Sequence, residues 1–307
     1  MRRNIFRIAI IIALCAVHGA EALSPTEQLN LSRAFTLAEI ASPEQLKQAV
    51  AEGINFNIER HLNFDDDDDY GWYEVYEFDT MTPLHAAAIK NHNPESIRFL
   101  LSLGLDVNAL AETGNTISET PLVCAISNKN NIQVINALLS AGADPKAWGS
   151  GNNYSVFHLI ASECRNYAYA KAVIDALIQA GGDVNSHYNF SREEIKDLYE
   201  LEDPSDFRIV WSRSAPFGDA IYRLSHATRG NFLSSFTPLM YAVLFNNPDV
   251  VNILLDVGAD PRIRSLEGKT ALDYAKMLPK TTKLRRSDAF IRLQKVSQQT
   301  KTPPSHN

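Results

Sequence analysis

The residues whose types could do chemistry are densest between positions 59 and 81. Asp65, Asp66, Asp67, Asp68 and Asp69 run consecutively, and an aromatic and acidic stretch follows through Tyr70, Trp72, Tyr73, Glu74, Tyr76, Glu77, Phe78 and Asp79. Three chemistries suit such a run. Calcium binding fits least, because five adjacent Asp lack the alternating ligand spacing and the Gly of a calcium loop. A solvated acidic loop whose rings pack back on the body fits better. Recognition fits best, since loops on a rigid scaffold carry function and Trp and Tyr are strong interface anchors. Asp65 to Asp69, Trp72, Tyr73 and Tyr76 are therefore the expected protein-binding residues, and the charge suits a partner with a basic surface.

Catalytic spacings are missing elsewhere. The sequence holds no GxSxG, HExxH, CxxC, GxxxxGK[ST] or GxGxxG, so no catalytic, cofactor or metal residues are expected and the chain reads as a non-enzyme. Beyond Cys15 there are two cysteines, Cys124 and Cys164. One disulfide is formally allowed in an exported chain. The two sit at different heights in their respective units, five helical positions or about 7.5 Å apart along the helix axis, which favours two independent buried thiols.

What must position the acidic run is a repeat. TPLHAAA at residues 82–88 recurs as TPLVCAI at 120–126, SVFHLIA at 155–161, TPLMYAV at 237–243 and TALDYAK at 270–276. Four copies lead into a second phrase, an apolar helix running to Gly: FLLSLGLDVN, ALLSAGADP, ALIQAGGDVN and ILLDVGADP. From the first residue of a copy to its Gly the separations are 22, 22, 26 and 21 residues, whereas the gaps from each Gly to the next copy range from 12 to 56. Nearly all added sequence therefore sits in one kind of loop. Thr followed by Pro suits a helix start, small residues such as Ala86, Ala87 and Ala125 let a neighbouring helix approach, and the terminal Gly suits a left-handed cap.

These phrases resemble the ankyrin repeat, whose signature includes TPLHxA. The resemblance implies an all-α solenoid, here of about five to six helix-turn-helix units with two long loop insertions, and a role in binding other proteins. It also implies a structural hydrogen-bonding role for His85 and His158, at the fourth position of their copies. The expected organisation is a degenerate first unit over 24–58, the acidic insertion 59–81, units near 82–114, 115–149 and 150–186, an insertion over 187–236, and units near 237–267 and 268–278. Within the first unit, Pro25–Ile40 and Pro43–Ala51 read as helices. In the second insertion, 191–201 reads as a capped amphipathic helix and 218–226 as a further helical stretch. Residues 279–307 read as a basic helix near 284–296 followed by a disordered tail.

Residues 1–22 read as an export signal, with Arg2, Arg3 and Arg7 flanking an apolar stretch from Ile8 to Val17 and small residues around Ala22. That stretch falls short of the roughly 20 residues needed to span a bilayer. Its removal takes three Arg and one Glu, so a formal charge of −7 for the whole chain becomes −9 for the remainder. Such an acidic chain does not suit nucleic acid, which selects basic patches. No membrane span is expected in the mature chain. The combined expectation is an exported scaffold, periplasmic in a bacterium or else secreted, that binds a protein through its finger loops and concave helix face. The alternatives are an enzyme or ligand-binding protein with its site in 187–236, and a secreted effector acting on a host protein.

Overall fold

The computed structural model describes residues 25–58, 60–61, 80–113, 117–149, 154–187 and 235–299. The expected leader 1–22, the acidic run Asp65 to Asp69 with Trp72, Tyr73 and Tyr76, the helices expected at 191–201 and 218–226, and the tail from residue 300 lie outside the described residues.

Each unit is made by local chemistry at its ends. In the unit that opens at Thr120, helix α5 (Pro121–Ser127) starts on a Thr whose Oγ1 accepts from the Val123 N–H at 3.4 Å, with Pro at the first position where no donor is lost. A tight turn follows, and α6 (Ile132–Ser140) begins on Asn131, whose Oδ1 accepts from the Val134 N–H at 3.0 Å. It ends at Gly142, with φ 93°. The Gly142 N–H donates to Leu139 O at 3.0 Å and the Ala143 N–H to Leu138 O at 3.0 Å, the pairing that closes a helix through a left-handed residue.

The same plan gives α1 (Pro25–Ile40) and α2 (Pro43–Ala51) in the first unit, α3 (Pro83–Lys90) and α4 (Pro94–Ser102) in the second, and α7 (Val156–Glu163) and α8 (Tyr167–Gln179) in the fourth. The fifth holds α9 (Pro238–Leu244) and α10 (Pro248–Asp256), and the sixth α11 (Ala271–Met277) and α12 (Asp288–Gln299). The first helices of successive units pack on one another, α1 on α3 through to α9 on α11, and so do the second helices from α2 to α12. The result is a two-layered all-α solenoid with one continuous core. Ala86, Ala87, Ala88, Ala125, Ala161, Ala242 and Ala275 are buried between inner helices, and Leu100, Leu138, Leu177 and Leu254 are buried under the outer ones. A fully buried Leu stabilises by about 2 kcal/mol.

Two details differ from the sequence expectation. The helix expected over 284–296 is a 3₁₀ turn at Leu284–Arg286 followed by α12, because Ser287 adopts an extended conformation (φ −99°, ψ 161°) between them. Short strands also occur within the otherwise helical array. β1 (Arg60–His61), β2 (Thr80–Met81), β3 (Ala111–Thr113) and β4 (Ile117–Glu119) form a four-stranded antiparallel sheet in that order, and β5 (Trp148–Gly149) pairs with β6 (Tyr154–Ser155). No helix among the described residues is long and apolar enough to cross a membrane.

Candidate partner-binding face

His85 shows how a finger is held on the array. Its Nδ1 accepts the Thr82 N–H at 3.2 Å, with the Thr82 hydroxyl 2.9 Å away. A backbone N–H can only donate, so Nδ1 is bare and the proton sits on Nε2. Nε2 then faces two carbonyls, Ala109 O and Glu119 O, both at 3.1 Å. Those two residues flank the β3–β4 hairpin, in which Ala111 pairs with Glu119 and Thr113 with Ile117. One buried imidazole thus joins the helix cap to both stems of the finger beside it. Burial pushes its pKa down to about 4, against the two carbonyl bonds that favour the proton.

His158 does the same work at the long insertion. Its Nδ1 accepts the Ser155 N–H at 3.0 Å, and its Nε2 donates to Phe236 O at 2.7 Å, across 78 residues of sequence. Ser155 Oγ also lies 2.7 Å from Ser186 Oγ. Both necks of the segment 187–236 are therefore fastened to a single helix cap. Burial holds the His158 pKa at about 4 as well. In the last unit Asp273 stands in for histidine, its Oδ2 accepting from the Thr270 N–H at 3.0 Å and the Thr270 hydroxyl at 2.8 Å. Those bonds, the backbone one foremost, hold its carboxyl below the usual range.

The acidic run itself lies outside the described residues, but the strands that flank its segment, Arg60–His61 and Thr80–Met81, do not. Arg60 pairs with Met81 and His61 with Thr80, antiparallel. Thr80 in turn pairs with Glu112 of the next finger. The segment 62–79 thus springs from a hairpin base that is hydrogen-bonded to its neighbour in one sheet.

One residue on this face escaped the sequence reading. Glu119 is 9% exposed, and it stands directly before the capping Thr, where the second and fifth units place Met81 and Phe236, both buried apolar side chains. Among the described residues its carboxylate has one hydrogen-bond donor, the Cys124 thiol at 3.5 Å from Oε2. Burial raises the Glu119 pKa, and the Glu163 carboxylate adds to the rise. Burial and Glu119 together push the Cys124 thiol far up, which makes it a poor nucleophile. The signal was available in register: an acid at the position that the second and fifth units fill with Met81 and Phe236. Cys124 and Cys164 are both buried free thiols. No group of residues able to hold a metal occurs among the described ones.

Two relatives place this face in context. The mitochondrial disaggregase of Homo sapiens is 32% identical over 206 residues, covering 66% of this chain and 26% of that protein. Palmitoyltransferase ZDHHC13 of Homo sapiens is 27% identical over 260 residues, covering 84% of this chain and 38% of that protein. The chain therefore spans well under half the length of these relatives, and both are eukaryotic. Two family models, described as ankyrin repeats (3 copies) and ankyrin repeats (many copies), match residues 43–147 and 230–275 respectively. The first match runs from the second helix of the first unit through the third unit, and the second begins within the 187–236 insertion and covers the fifth unit and the start of the sixth: the protein is built on an array of ankyrin repeats.

Proposed function

We propose that this protein is an exported scaffold that binds another protein through its finger loops and the inner helix face beside them. The observation that carries this reading is the antiparallel base formed by Arg60–His61 and Thr80–Met81, between which segment 62–79 leaves and rejoins the array, and which shares one sheet with the next finger. Trp72, Tyr73 and Tyr76 are the anchors in this reading, and Asp65 to Asp69 steer a basic partner surface. The leader-like residues 1–22 support export, with the bacterial periplasm as the compartment, although the matched relatives are eukaryotic. The names of those relatives denote enzymes, which supports a second reading: a catalytic or ligand site in 187–236.

The test is to cross-link the protein to its partner in the exported compartment and to titrate the captured partner with variants. Trp72→Ala is expected to weaken binding by about 2 kcal/mol, mostly through faster dissociation. Replacing Asp65 to Asp69 by Asn should slow association and flatten its salt dependence. Unchanged affinity after both changes, in chains that melt normally, would move the site elsewhere.

A further inference from the structure

We propose that the array contains a hinge at the seam between its third and fourth units, across which residues 25–149 and 154–299 open as separate blocks. The observation is a clamp that recurs at three of the other four seams and is missing from this one. At the first seam the buried Asn91 amide donates to Ala38 O at 2.9 Å and Ala41 O at 3.1 Å. At the second, Asn130 donates to Ala88 O at 2.7 Å and Asn91 O at 3.1 Å. At the fourth, Asn247 donates to Ala161 O at 3.4 Å and Cys164 O at 2.7 Å. In every case the Asn closes the turn between the two helices of its unit and reaches the carbonyls that end the first helix of the unit before.

At the third seam this place belongs to Cys164. Its thiol turns back to Asn166 O of its own unit, at 3.4 Å. The second row of ties is interrupted at the same seam. Asn108 Oδ1 accepts from the Asp144 N–H and Asn185 Oδ1 from the Asp260 N–H, both at 2.8 Å, which join the second unit to the third and the fourth to the fifth. Between the third and fourth units, the described hydrogen bonds are those of the β5–β6 hairpin that links them. The fifth seam has its own ties, with the Leu284 N–H on Asn246 Oδ1 at 2.7 Å and ion pairs Lys283–Asp249 and Arg292–Asp256.

The charged groups at the third seam add no firm bond. Glu163 raises the pKa of Glu119 across it, a repulsion between like charges, while Lys129 draws on Glu163 without forming an ion pair. Tyr169, in the second helix of the fourth unit, buries a hydroxyl that has no hydrogen-bond partner among the described residues. Solenoid stability is a sum of unit terms and nearest-neighbour interface terms, so the least-tied interface is where cooperativity divides.

The experiment is native-state hydrogen exchange on the full chain in sub-denaturing urea. The expected result is two sets of opening events, with the boundary between residues 149 and 154. Cys164→Asn supplies an amide facing the Asn130 carbonyl, which corresponds to the Asn91 and Cys164 carbonyls that accept at neighbouring seams. It should slow the exchange of the less protected block roughly fivefold, the effect of one net hydrogen bond, and bring the two sets together, whereas Cys164→Ala should do neither. A single common opening in the wild-type chain, a boundary at another seam, or equal effects of Asn and Ala would overturn the proposal. If Cys164→Asn does not fold, the wild-type exchange pattern decides alone.

Discussion

At the scale of single residues, the two capping histidines and Glu119 pull the pH dependence in opposite directions. His85 and His158 are held neutral in the fold with pKa values near 4, against 6.5 in the unfolded chain. Between those values the unfolded chain binds more protons, so stability is full above pH 6.5 and falls as pH drops toward 4. The loss approaches about 3 kcal/mol per histidine if both protonate only on unfolding. Urea melts at pH 7 and pH 4.5 should show it, and His85→Gln should flatten the dependence while lowering stability at pH 7. Glu119 has the reverse sign: its folded pKa is raised, so its contribution is present below the unfolded value of 4.5 and is lost as pH rises. Glu119→Gln is therefore expected to raise stability at pH 7, on the order of 1 kcal/mol, with little change at pH 4. A variant equally or less stable at pH 7 would mean that the carboxylate is better satisfied than the single thiol bond indicates.

At the scale of elements, the fourth unit carries a matched pair of departures. Phe157 stands where the other units have Leu84, Leu122, Leu239 and Leu272, and Gly182 where they have Leu105, Ala143 and Ala259. A Cβ on Gly182 would meet Phe157 Cε2 and Leu177 O, each at 2.9 Å. The larger ring occupies the volume that the missing side chain vacates. Gly182→Ala is expected to lower stability by about 1–3 kcal/mol through overpacking. Adding Phe157→Leu should recover part of the loss, since the ring clash goes while the Leu177 carbonyl contact stays, and the double-mutant cycle should show a coupling of at least about 0.5 kcal/mol. Additive losses would show that the pair is accidental.

The long insertion is a second matter of element scale. Ser186 and Phe236, at its two necks, both bond to the Ser155–His158 cap, so the chain leaves and rejoins the array at nearly one place. Replacing residues 188–234 with a short Gly/Ser linker should keep cooperative melting, and the shorter loop should favour folding by about 1.5 kcal/mol. Loss of all cooperative unfolding would assign the segment to the core. Loss of an activity from a chain that still melts normally would instead point to a site within it.

At the scale of the molecule, the two ends of the chain differ in chemistry. In the proposed reading residues 1–22 are an export signal, whereas the far end is cationic: Lys276, Lys280, Arg286 and Lys295 are exposed, and the Arg285 guanidinium lies 4.1 Å from the Phe290 ring centroid. Lys283 and Arg292 fasten that end to α10 through Asp249 and Asp256. Exposed ion pairs of this sort contribute at most about 1 kcal/mol each, so α12 is held chiefly by burial of Ala289, Phe290 and Leu293. If the leader is functional, N-terminal sequencing of exported protein should find a chain that begins near Leu23. An intact Met1 on mature material would refute export by this route.

Residue order alone was enough to determine the repeat, its helix starts and its helix ends. Thr120 with Pro121, Asn131 before α6 and Gly142 after it act on backbone groups within a few residues, so their effect is local and legible. A structural hydrogen-bonding role for His85 and His158 came from the resemblance to the ankyrin phrase, which left open both their place in the helix cap and the carbonyls their Nε2 atoms would reach. Stacking decided those. His158 meets Phe236 across 78 residues and Asn247 meets Ala161 across 86, and no sequence period announces either contact because the insertion between them breaks the spacing. The division of the array was hidden for a related reason. Cys164 looks like an ordinary buried thiol until three other units show Asn in its place, each with its amide on carbonyls of the unit before. Burial of the Glu119 carboxylate likewise depends on neighbours brought together from separate parts of the chain, the inner helices and the finger sheet, and only their packing removed it from water.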